Sequence, residues 1–368
     1  CTSPKSQVGA NVISDNQGGV WVLWYQKIPH NFNVPDSNRH GLQHLDSNGY
    51  PTLPQNGIIL NDSLETFRIV GLYATSDGSL TVCYMGRTSP STTKAYIQRF
   101  RQDGSRVWGY DGKPITGIAG DTAFLRAVPT SILPLADGGA YISLIYTYGS
   151  PQKGYIQRMS ADGAYLWGDT GKVIYEYNRA DPLSGLLFKR DEGGAFFASA
   201  HTAYLYMYLN GIDSSGNLLY PVPGTMVNNP RAEMNNFAIT SRRDDPDSSG
   251  LMHFKVHTTV ATTSGFKDEL RLYICNGEGD LVHSDTGIVL SDTTTAYINA
   301  NTLLPQNDGS IIYTYQASTT DRTPWYARRV GPSGGDLWET PVQLAGADSM
   351  IIGAVITQDT TGIIATWD

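Results

Sequence analysis

Short polar turns alternate with hydrophobic runs along the whole chain. Each turn is rich in Asp, Asn and Gly, and each is followed by a run of β-branched, aromatic and aliphatic residues. Seven of these turns end in glycines at positions 19, 78, 138, 193, 250, 309 and 362, so the period is 53 to 60 residues. The runs show the pattern of strands, and no helical period separates them. The chain is therefore predicted to be an all-β repeat protein.

Each complete repeat contains four strand signals. In the third repeat they are Val128 to Leu135, Ala140 to Tyr146, Gly154 to Met159 and an outer strand that carries Leu166 and Trp167. Four-stranded units at this period predict a β-propeller of antiparallel blades. We expect six complete blades and a partial seventh in a ring of seven sectors, all in a single domain over 8–368 after an N-terminal tether at 1–7. The blades are predicted at roughly 8–62, 63–119, 120–178, 179–229, 230–292 and 293–346, with the two strands of the seventh in 350–367.

One phrase of the repeat resembles a known group of proteins. Tyr96-Ile97-Gln98-Arg99 and Tyr155-Ile156-Gln157-Arg158 are each followed by Asp-Gly and then Trp-Gly. This pattern is similar to the β-propeller repeats of surface and secreted proteins of Bacteroidetes-type bacteria. The resemblance implies a propeller fold and an extracellular or cell-surface location, and it implies little about chemistry because the shared residues are turn and packing positions.

Composition and charge exclude some classes of function. The formal net charge is -8 and only 16% of residues are charged, so we expect no nucleic-acid partner, because phosphate contacts need clustered Lys and Arg. No stretch reaches the roughly 18 to 20 apolar residues that span a bilayer. Cys83 and Cys275 lie in apolar strand runs and are expected to be small buried hydrophobic residues.

Cys1 and the polar segment after it resemble the start of a mature bacterial lipoprotein. On that interpretation Cys1 carries a lipid and the protein is anchored to the outer membrane. The alternative is an arbitrary boundary of the sequence, and a single residue does not decide between them.

The long loops of the repeats offer a candidate ligand face. The turns between first and second strands and between third and fourth strands are predicted to be short Asp-Gly types, which leave one end of each blade plain. The second-to-third loops and the crossings between blades vary, and function on a repeat scaffold usually lies in variable loops. Aromatic rings with Asn, Asp and Arg between them suit sugar stacking and hydroxyl hydrogen bonds, and they also suit a protein partner. The predicted binding residues are His30, Phe32, Tyr148, Tyr204, Arg322, Trp325, Tyr326, Arg68, Arg126, Arg231 and Glu233.

Signals for catalysis and for metals are weaker. A glycoside hydrolase needs two carboxyl groups about 5 to 10 Å apart, and Glu65, Asp121, Asp181 and Glu233 are candidates only by position. No metal site and no cofactor is predicted. No H-E-x-x-H motif and no phosphate-binding glycine loop appears, and His253 and His257, although four residues apart, would lie about 13 Å from each other on a strand.

The main interpretation is therefore a non-catalytic surface or secreted propeller. It would bind a surface glycan or a protein through its long-loop face, for instance as a lipoprotein accessory subunit of an outer-membrane protein complex. One alternative is a glycoside hydrolase or polysaccharide lyase that uses carboxylates of the central channel. Another is a structural repeat module of a longer adhesin, which the unfinished seventh blade suggests.

Overall fold

The structure is a computed structural model, and it describes most of the chain in separate ranges. These are 6–28, 37–61, 65–89, 92–115, 127–146, 152–177, 183–190, 192–201, 206–222, 224–226, 234–240, 252–262, 265–276, 278–283, 287–290, 297–306, 308–318, 324–345, 354–358 and 363–367. Within these ranges the secondary structure is entirely strands and turns, with no helix. The described part of the chain accordingly has no helix that is long and apolar enough to cross a membrane.

Residues 1–180 form one compact unit. It contains three four-stranded antiparallel sheets, and in each sheet the strands lie side by side in chain order. The first sheet is β1 (Ser6–Ser14), β2 (Val20–Ile28), β3 (Ser37–Leu45) and β4 (Ile58–Ile59). The second is β5 (Glu65–Ala74), β6 (Leu80–Ser89), β7 (Thr92–Phe100) and β8 (Lys113–Ile115). The third is β9 (Ala127–Pro134), β10 (Ala140–Tyr146), β11 (Gln152–Met159) and β12 (Lys172–Tyr177).

Residues 181–368 form a second compact unit. Its described residues give three further four-stranded sheets and one two-stranded sheet. The fourth sheet is β13 (Leu183–Lys189), β14 (Ala195–His201), β15 (Tyr206–Ile212) and β16 (Thr225–Met226). The fifth is β17 (Met234–Thr240), β18 (Met252–Thr262), β19 (Gly265–Cys275) and β20 (Ile288–Val289). The sixth is β21 (Tyr297–Pro305), β22 (Ile311–Ser318), β23 (Trp325–Val330) and β24 (Val342–Ala345). The two-stranded sheet is β25 (Ala354–Gln358) with β26 (Ile363–Trp367).

Side chains of β6 point alternately toward the first and the third sheet, which shows why the second strand of a sheet is hydrophobic throughout. Leu80, Val82 and Tyr84 pack with residues of the first sheet, whereas Cys83 packs with residues of the third. A strand that is covered on both faces needs apolar residues at odd and even positions alike. Burial of Cys83 and Cys275, both free thiols, confirms the prediction for these two residues, and it raises the pKa of each thiol to about 12.

The outer strand is not where the sequence predicted it. Leu166 and Trp167 lie in bends, and the fourth strand of that sheet is β12. The third-to-fourth connection therefore contains the Asp-Gly turn and a further segment, so the prediction that it is as short as the first-to-second turn is also wrong. The other three strands of the third repeat are confirmed, with ends that differ by one or two residues.

A buried glutamine on the third strand explains this difference. The Gln98 side-chain nitrogen donates to the Gly109 carbonyl (2.7 Å), and the Gln98 side-chain oxygen accepts from the Trp108 amide (3.2 Å). Gln157 makes the same two bonds to Gly168 and Trp167, at 2.6 and 3.3 Å. Because the amides of both tryptophans bond to a side chain, the Trp-Gly segments cannot continue a strand ladder at that point. In both copies of the repeated phrase, the Gln side chain therefore hydrogen-bonds to the backbone of the Trp-Gly segment.

The arginine and the tryptophan of the same phrase join neighbouring sheets. The Trp108 ring packs on Gly163 of the third sheet, where an added Cβ would lie 2.9 Å from the indole nitrogen and where the φ angle is +84°. The Arg99 guanidinium lies 4.9 Å from the Trp108 ring centre and donates to the carbonyls of Gly138 and Ala161. Arg99 and Trp108 of the second repeat therefore hold the second and third sheets together at their turn ends.

Candidate functional site

The first two sheets carry a polar cluster at each end. We call the end that holds the Asp15–Gly19 turn the turn end. We call the opposite end, where β2 finishes at Ile28 and β3 and β5 begin, the long-loop end. The two clusters differ in whether their side chains have hydrogen-bonding positions left for a ligand.

At the turn end, the buried Asp15 carboxylate is fully hydrogen-bonded. Its Oδ1 accepts from the amides of Gln17 (2.8 Å) and Gly19 (2.7 Å), and its Oδ2 accepts from His44 Nε2 (2.9 Å) and Gln102 Nε2 (2.9 Å). Burial raises the pKa of Asp15, but these hydrogen bonds and the charge of His44 outweigh it, so the pKa is lowered overall. A carboxylate offers about four acceptor positions, and all of them are taken.

The other ring nitrogen of His44 is also bonded. His44 Nδ1 lies 2.9 Å from Thr52 Oγ1, and the Thr52 hydroxyl donates to the Gln102 carbonyl at 2.8 Å. The Trp21 ring lies 4.6 Å from the His44 ring and donates to the Gly78 carbonyl. Since Gln102 and Gly78 belong to the second repeat, this network joins the first two sheets and has no group left over for chemistry.

At the long-loop end, His40 lies between a tyrosine and a threonine. Tyr25 and His40 are paired across β2 and β3, with ring centres 5.6 Å apart and ring planes at 72°. The His40 amide donates to Thr66 Oγ1 of β5 at 3.0 Å, and His40 Nδ1 lies 3.1 Å from the same oxygen. Three strands of two sheets therefore meet at one imidazole.

His40 is a neutral imidazole under ordinary conditions. Its exposed fraction is 7% and Thr66 is fully buried, so the charged form of the ring would lose most of its hydration. Burial lowers the pKa of His40 to about 4, and a hydrogen bond from the ring to the Thr66 backbone, which raises the pKa, offsets only part of that shift. Strongly perturbed pKa values cluster at functional sites, which makes His40 a candidate residue.

An exposed arginine follows along the same strand. β5 is irregular between Thr66 and Arg68, and the Arg68 side chain is exposed. Tyr25 is half-buried, so a phenol, a neutral imidazole and a guanidinium occur together at this end. The combination can donate hydrogen bonds to an anion and exchange a proton with a bound molecule.

A second tyrosine cluster at this junction is structural. Buried Asn61 donates to the Tyr84 hydroxyl at 3.0 Å, and that hydroxyl donates to the Asp111 carbonyl at 2.9 Å. The Tyr84 ring also stacks on Tyr96 with 5.7 Å between ring centres. Burial raises the pKa of Tyr84, so its phenol stays protonated while it holds the end of the first sheet.

Three of the binding residues predicted from the sequence are described by the structure. Arg68 is exposed at the long-loop end, as expected for a binding residue. Trp325 is the first residue of β23 with 1% of its surface exposed, so its prediction as a ligand platform is wrong: the ring packs inside the protein. Tyr326 is half-buried and stacks on Tyr315 of the neighbouring strand, with 5.5 Å between ring centres.

The remaining predicted residues lie outside the described residues. They are Cys1, His30, Phe32, Arg126, Tyr148, Tyr204, Arg231, Arg322 and Glu233. The backbone of Glu65 is described as the start of β5, without its side chain. Among the described residues, no group of three His, Cys, Asp or Glu side chains is arranged to hold a metal ion.

Sequence reasoning missed Tyr25, His40 and Thr66. One signal was present: His40 and His44 are four residues apart, and residues at that spacing on a strand share a face about 13 Å apart. One of the two must then lie toward each end of the strand. The partner Thr66 is 26 residues away and is not marked by any motif.

The described sheets define an all-β fold. Comparison with known proteins shows which solved structures share it. No protein-family model and no curated protein sequence matches the chain. Among solved structures, an ulvan lyase of polysaccharide lyase family PL25, bound to GlcA(1-4)Rha3S units, is similar with a TM-score of 0.53 at 11% identity, over 92% of this chain and 86% of its own. The polysaccharide lyase Uly1 is similar with a TM-score of 0.52 at 10% identity, over 98% of this chain and 85% of its own.

These neighbours correct the main functional interpretation of the sequence. A propeller that binds without catalysis was expected, yet the similar structures are enzymes that degrade polysaccharides. The activity named for these neighbours is that of the alternative, a glycan-degrading enzyme, and not that of the main interpretation. It gives no support to a membrane protein complex as the partner, and at this identity it shows the all-β fold alone.

Proposed function

We propose that the protein is a polysaccharide lyase that cleaves uronate-containing chains by β-elimination. The observation that carries the proposal is the neutral His40 imidazole, bonded to Thr66 and next to the Tyr25 ring at the long-loop end. The fold likeness to polysaccharide lyases supports the same reaction class.

The chemistry of β-elimination suits these groups. The reaction needs a donor that stabilises charge on the uronate carboxylate, a group that removes the C5 proton, and a proton for the leaving O4 oxygen. A neutral imidazole and a phenol can share these roles. A glycoside hydrolase instead needs two carboxyl groups about 5 to 10 Å apart, and the described side chains of this cluster are not carboxylates.

The proposed substrate is an anionic polysaccharide. The neighbour solved with a ligand holds glucuronate linked to a sulfated rhamnose, and we take that sugar sequence as the first one to test. Arg68 supplies an exposed cation for a carboxylate or sulfate group, since guanidinium groups form strong charge-assisted hydrogen bonds with such anions.

Two further proposals concern architecture and location. The six four-stranded sheets and the two-stranded sheet are, we propose, the blades of a propeller whose seventh blade is partial. An enzyme that acts on a polymer too large to cross a membrane works outside the cell. We therefore keep an extracellular or cell-surface location as a proposal.

Incubation of the purified protein with ulvan and with other uronate polysaccharides tests the function. Each elimination creates a conjugated double bond, so the expected result is rising ultraviolet absorbance and new unsaturated ends by mass spectrometry. Tyr25→Phe and His40→Gln should lower the rate by about 100-fold or more, the usual scale for proton transfer and charge stabilisation.

Tyr50→Phe is the matched control. Tyr50 is 69% exposed in the turn after β3, at the other end of the same sheet, and its loss of a hydroxyl should leave the rate unchanged. A folded protein that forms no unsaturated ends from any uronate polysaccharide contradicts the proposal, as does an equal rate in all three variants.

A further inference from the structure

Four Asn-Gly pairs occur along the chain, and their surroundings differ. They are Asn48-Gly49, Asn56-Gly57, Asn210-Gly211 and Asn276-Gly277. In such a pair the backbone nitrogen of the glycine can attack the side-chain carbonyl carbon of the asparagine, because glycine has no Cβ to shield it. The attack needs an asparagine side chain that can rotate and a glycine backbone that can turn toward it. The surroundings of each pair therefore decide whether it reacts in the folded protein.

The side-chain carbonyls of two of these asparagines are hydrogen-bonded. Asn210 is 1% exposed, and its Oδ1 accepts from the Gly211 amide at 2.8 Å. Asn276 Oδ1 accepts from the amides of Glu278 (3.0 Å) and Asp280 (2.8 Å). Each side chain must break these bonds before it can rotate into a reactive position.

The Asn56-Gly57 pair is blocked at its glycine. The Gly57 amide donates to the Pro54 carbonyl at 2.6 Å, directly before β4. A Cβ built on Gly57 would lie 2.6 Å from the Trp24 ring and would also meet the Leu42 carbonyl. The Gly57 backbone is therefore enclosed, and it has no room to turn toward the asparagine side chain.

The Asn48-Gly49 pair has neither restraint. Both residues are exposed in the turn after β3, and no described residue hydrogen-bonds to the Asn48 side-chain amide. A Cβ built on Gly49 would meet nothing within 4 Å. The Gly49 amide donates to the Asp46 carbonyl and the Asn48 amide to Asp46 Oδ1, each at 2.9 Å. Exposed turns open locally at little cost, so these backbone bonds slow the attack without preventing it.

We propose that Asn48 is a site of spontaneous covalent modification, at which the folded protein is deamidated to aspartate and isoaspartate ahead of the other three Asn-Gly pairs. This modification does not depend on the proposed lyase function. The Asn48 turn lies at the turn end of the first sheet, away from His40.

The reaction is balanced with water as its one added reactant. The Gly49 nitrogen forms a bond to Asn48 Cγ and gives up its proton, and the side-chain nitrogen leaves as ammonia, so that a cyclic imide remains. Water then opens the ring. Attack at Cγ breaks the new bond and gives aspartate, whereas attack at the backbone carbonyl carbon breaks the original peptide bond and gives isoaspartate, with the chain running through the former side chain. Nothing is oxidised or reduced.

Isoaspartate changes the geometry of the turn. Asp46 Oδ1 accepts from the amides of Asn48 and Tyr50, both at 2.9 Å, and the modified peptide bond lies between these two amides. An extra backbone carbon at that point prevents one carboxylate oxygen from holding both. Either product also adds a carboxylate to a chain whose formal net charge is already -8, so ion exchange separates the modified protein.

Timed incubation of the full chain at mildly alkaline pH tests the selectivity. Proteolytic digestion and mass spectrometry measure the converted fraction of each Asn-Gly pair, and an isoaspartyl methyltransferase labels the isoaspartate. In the folded protein the Asn48 peptide should convert at least about fivefold faster than the other three, the scale of one hydrogen bond that must first break. In urea, where the surroundings are lost, the four pairs should convert at similar rates.

Asn48→Gln is the matched variant, because it keeps an exposed amide but its longer side chain disfavours ring closure. It should abolish conversion in this turn and leave the other three pairs unchanged. The isoaspartyl fraction of the wild type should unfold at a lower urea concentration than Asn48→Asp, which has the normal backbone.

The wild-type rates decide the proposal even if a variant does not fold. Another pair that converts as fast as Asn48 in the folded protein overturns it, and so does an Asn48 that stays intact while the unfolded chain reacts. An equal lead of Asn48 in urea also overturns it, because local sequence rather than the fold would then select the site.

Discussion

Two histidines four residues apart in β3 have opposite surroundings. His44 has both ring nitrogens bonded, to Asp15 and Thr52, in a network that joins two sheets. His40 has one nitrogen bonded to Thr66, and no described residue bonds to the other. Burial alone does not distinguish them, because both are nearly inaccessible. The number of unused hydrogen-bonding positions is what separates the residue that stabilises the fold from the residue suited to a ligand.

His40 should make folding stability depend on pH. Its pKa is 6.5 as a free side chain and about 4 in the folded protein, so the unfolded chain binds a proton that the folded protein does not. The stabilisation is complete above pH 6.5 and is lost as pH falls toward 4, by roughly 3 kcal/mol in total. Urea unfolding at several pH values measures it, and His40→Gln should remove this part of the slope. An unchanged slope in the variant would show that His40 is not held neutral.

Asp15→Asn should destabilise the protein strongly. The side-chain nitrogen of the new asparagine would place a donor against the donors of His44 and Gln102, and loss of one partner of a buried pair costs about 3–5 kcal/mol. The pKa of Asp15 is lowered from 3.8, so the wild-type advantage is full above that pH and declines as pH falls through the lower folded value. Unfolding free energies at neutral and acidic pH test both statements.

Asp103→Asn is the matched control for that experiment. Asp103 is an exposed turn carboxylate that accepts from the Ser105 amide at 2.8 Å, and Asn can accept the same bond. Its unfolding free energy should change by less than about 1 kcal/mol. Equal losses in both variants would mean that the Asp15–His44 network is not what joins the sheets.

At the scale of strands and turns, Gln98 of the repeated phrase should contribute strongly to the free energy of unfolding. Gln98→Met keeps the length of the side chain but leaves the Trp108 amide and the Gly109 carbonyl without their partner. Unsatisfied buried groups cost about 1–3 kcal/mol each, so the variant should lose at least about 2 kcal/mol of unfolding free energy.

Gln55→Met provides the comparison, because Gln55 is exposed in the loop before β4. Its unfolding free energy should stay within about 0.5 kcal/mol of the wild type. If Gln98→Met were equally mild, the recurrence of Gln in the repeated phrase would need another explanation than the bonds to the Trp-Gly segment.

The same elements show what the sequence could predict. The strand Ala140–Tyr146 was predicted to the residue, because an Asp-Gly turn precedes it and its apolar run is unbroken. The outer strand was misplaced onto Leu166 and Trp167, since an apolar pair after a turn is also what a strand looks like. Only the bonds of Gln157, ten residues earlier, decide that this pair forms a bend.

The site was harder to predict than the strands. Repeat periodicity reports on turns and packing, whereas the candidate site depends on residues that do not recur, such as Thr66. Arg68 was predicted because it lies at a crossing between repeats, and the long-loop end was chosen for the same reason; the structure shows Arg68 exposed at that end, and its binding role stays a prediction. Trp325 was misjudged because an aromatic residue near a variable loop can equally be the first buried residue of a strand.

At the scale of the whole molecule, charge should govern how the activity of the proposed lyase depends on salt. The net charge of -8 repels a polyanionic substrate at long range, whereas Arg68 attracts it at contact. The Debye length falls from about 30 Å to about 10 Å between 0.01 and 0.1 M salt, so screening removes more of the long-range repulsion than of the contact. We therefore expect kcat/KM on a uronate polymer to rise over this range.

Arg68→Gln and Arg101→Gln separate the two effects. Both remove one positive charge from an exposed position, but Arg101 lies directly after β7, at the turn end of the second sheet. Arg68→Gln should raise KM roughly two- to fivefold at every salt concentration, the scale of one exposed ion pair, while Arg101→Gln should change only the salt dependence. Equal KM values would place substrate binding away from Arg68, and a rate that falls with salt in the wild type would mean that local cations outweigh the net charge.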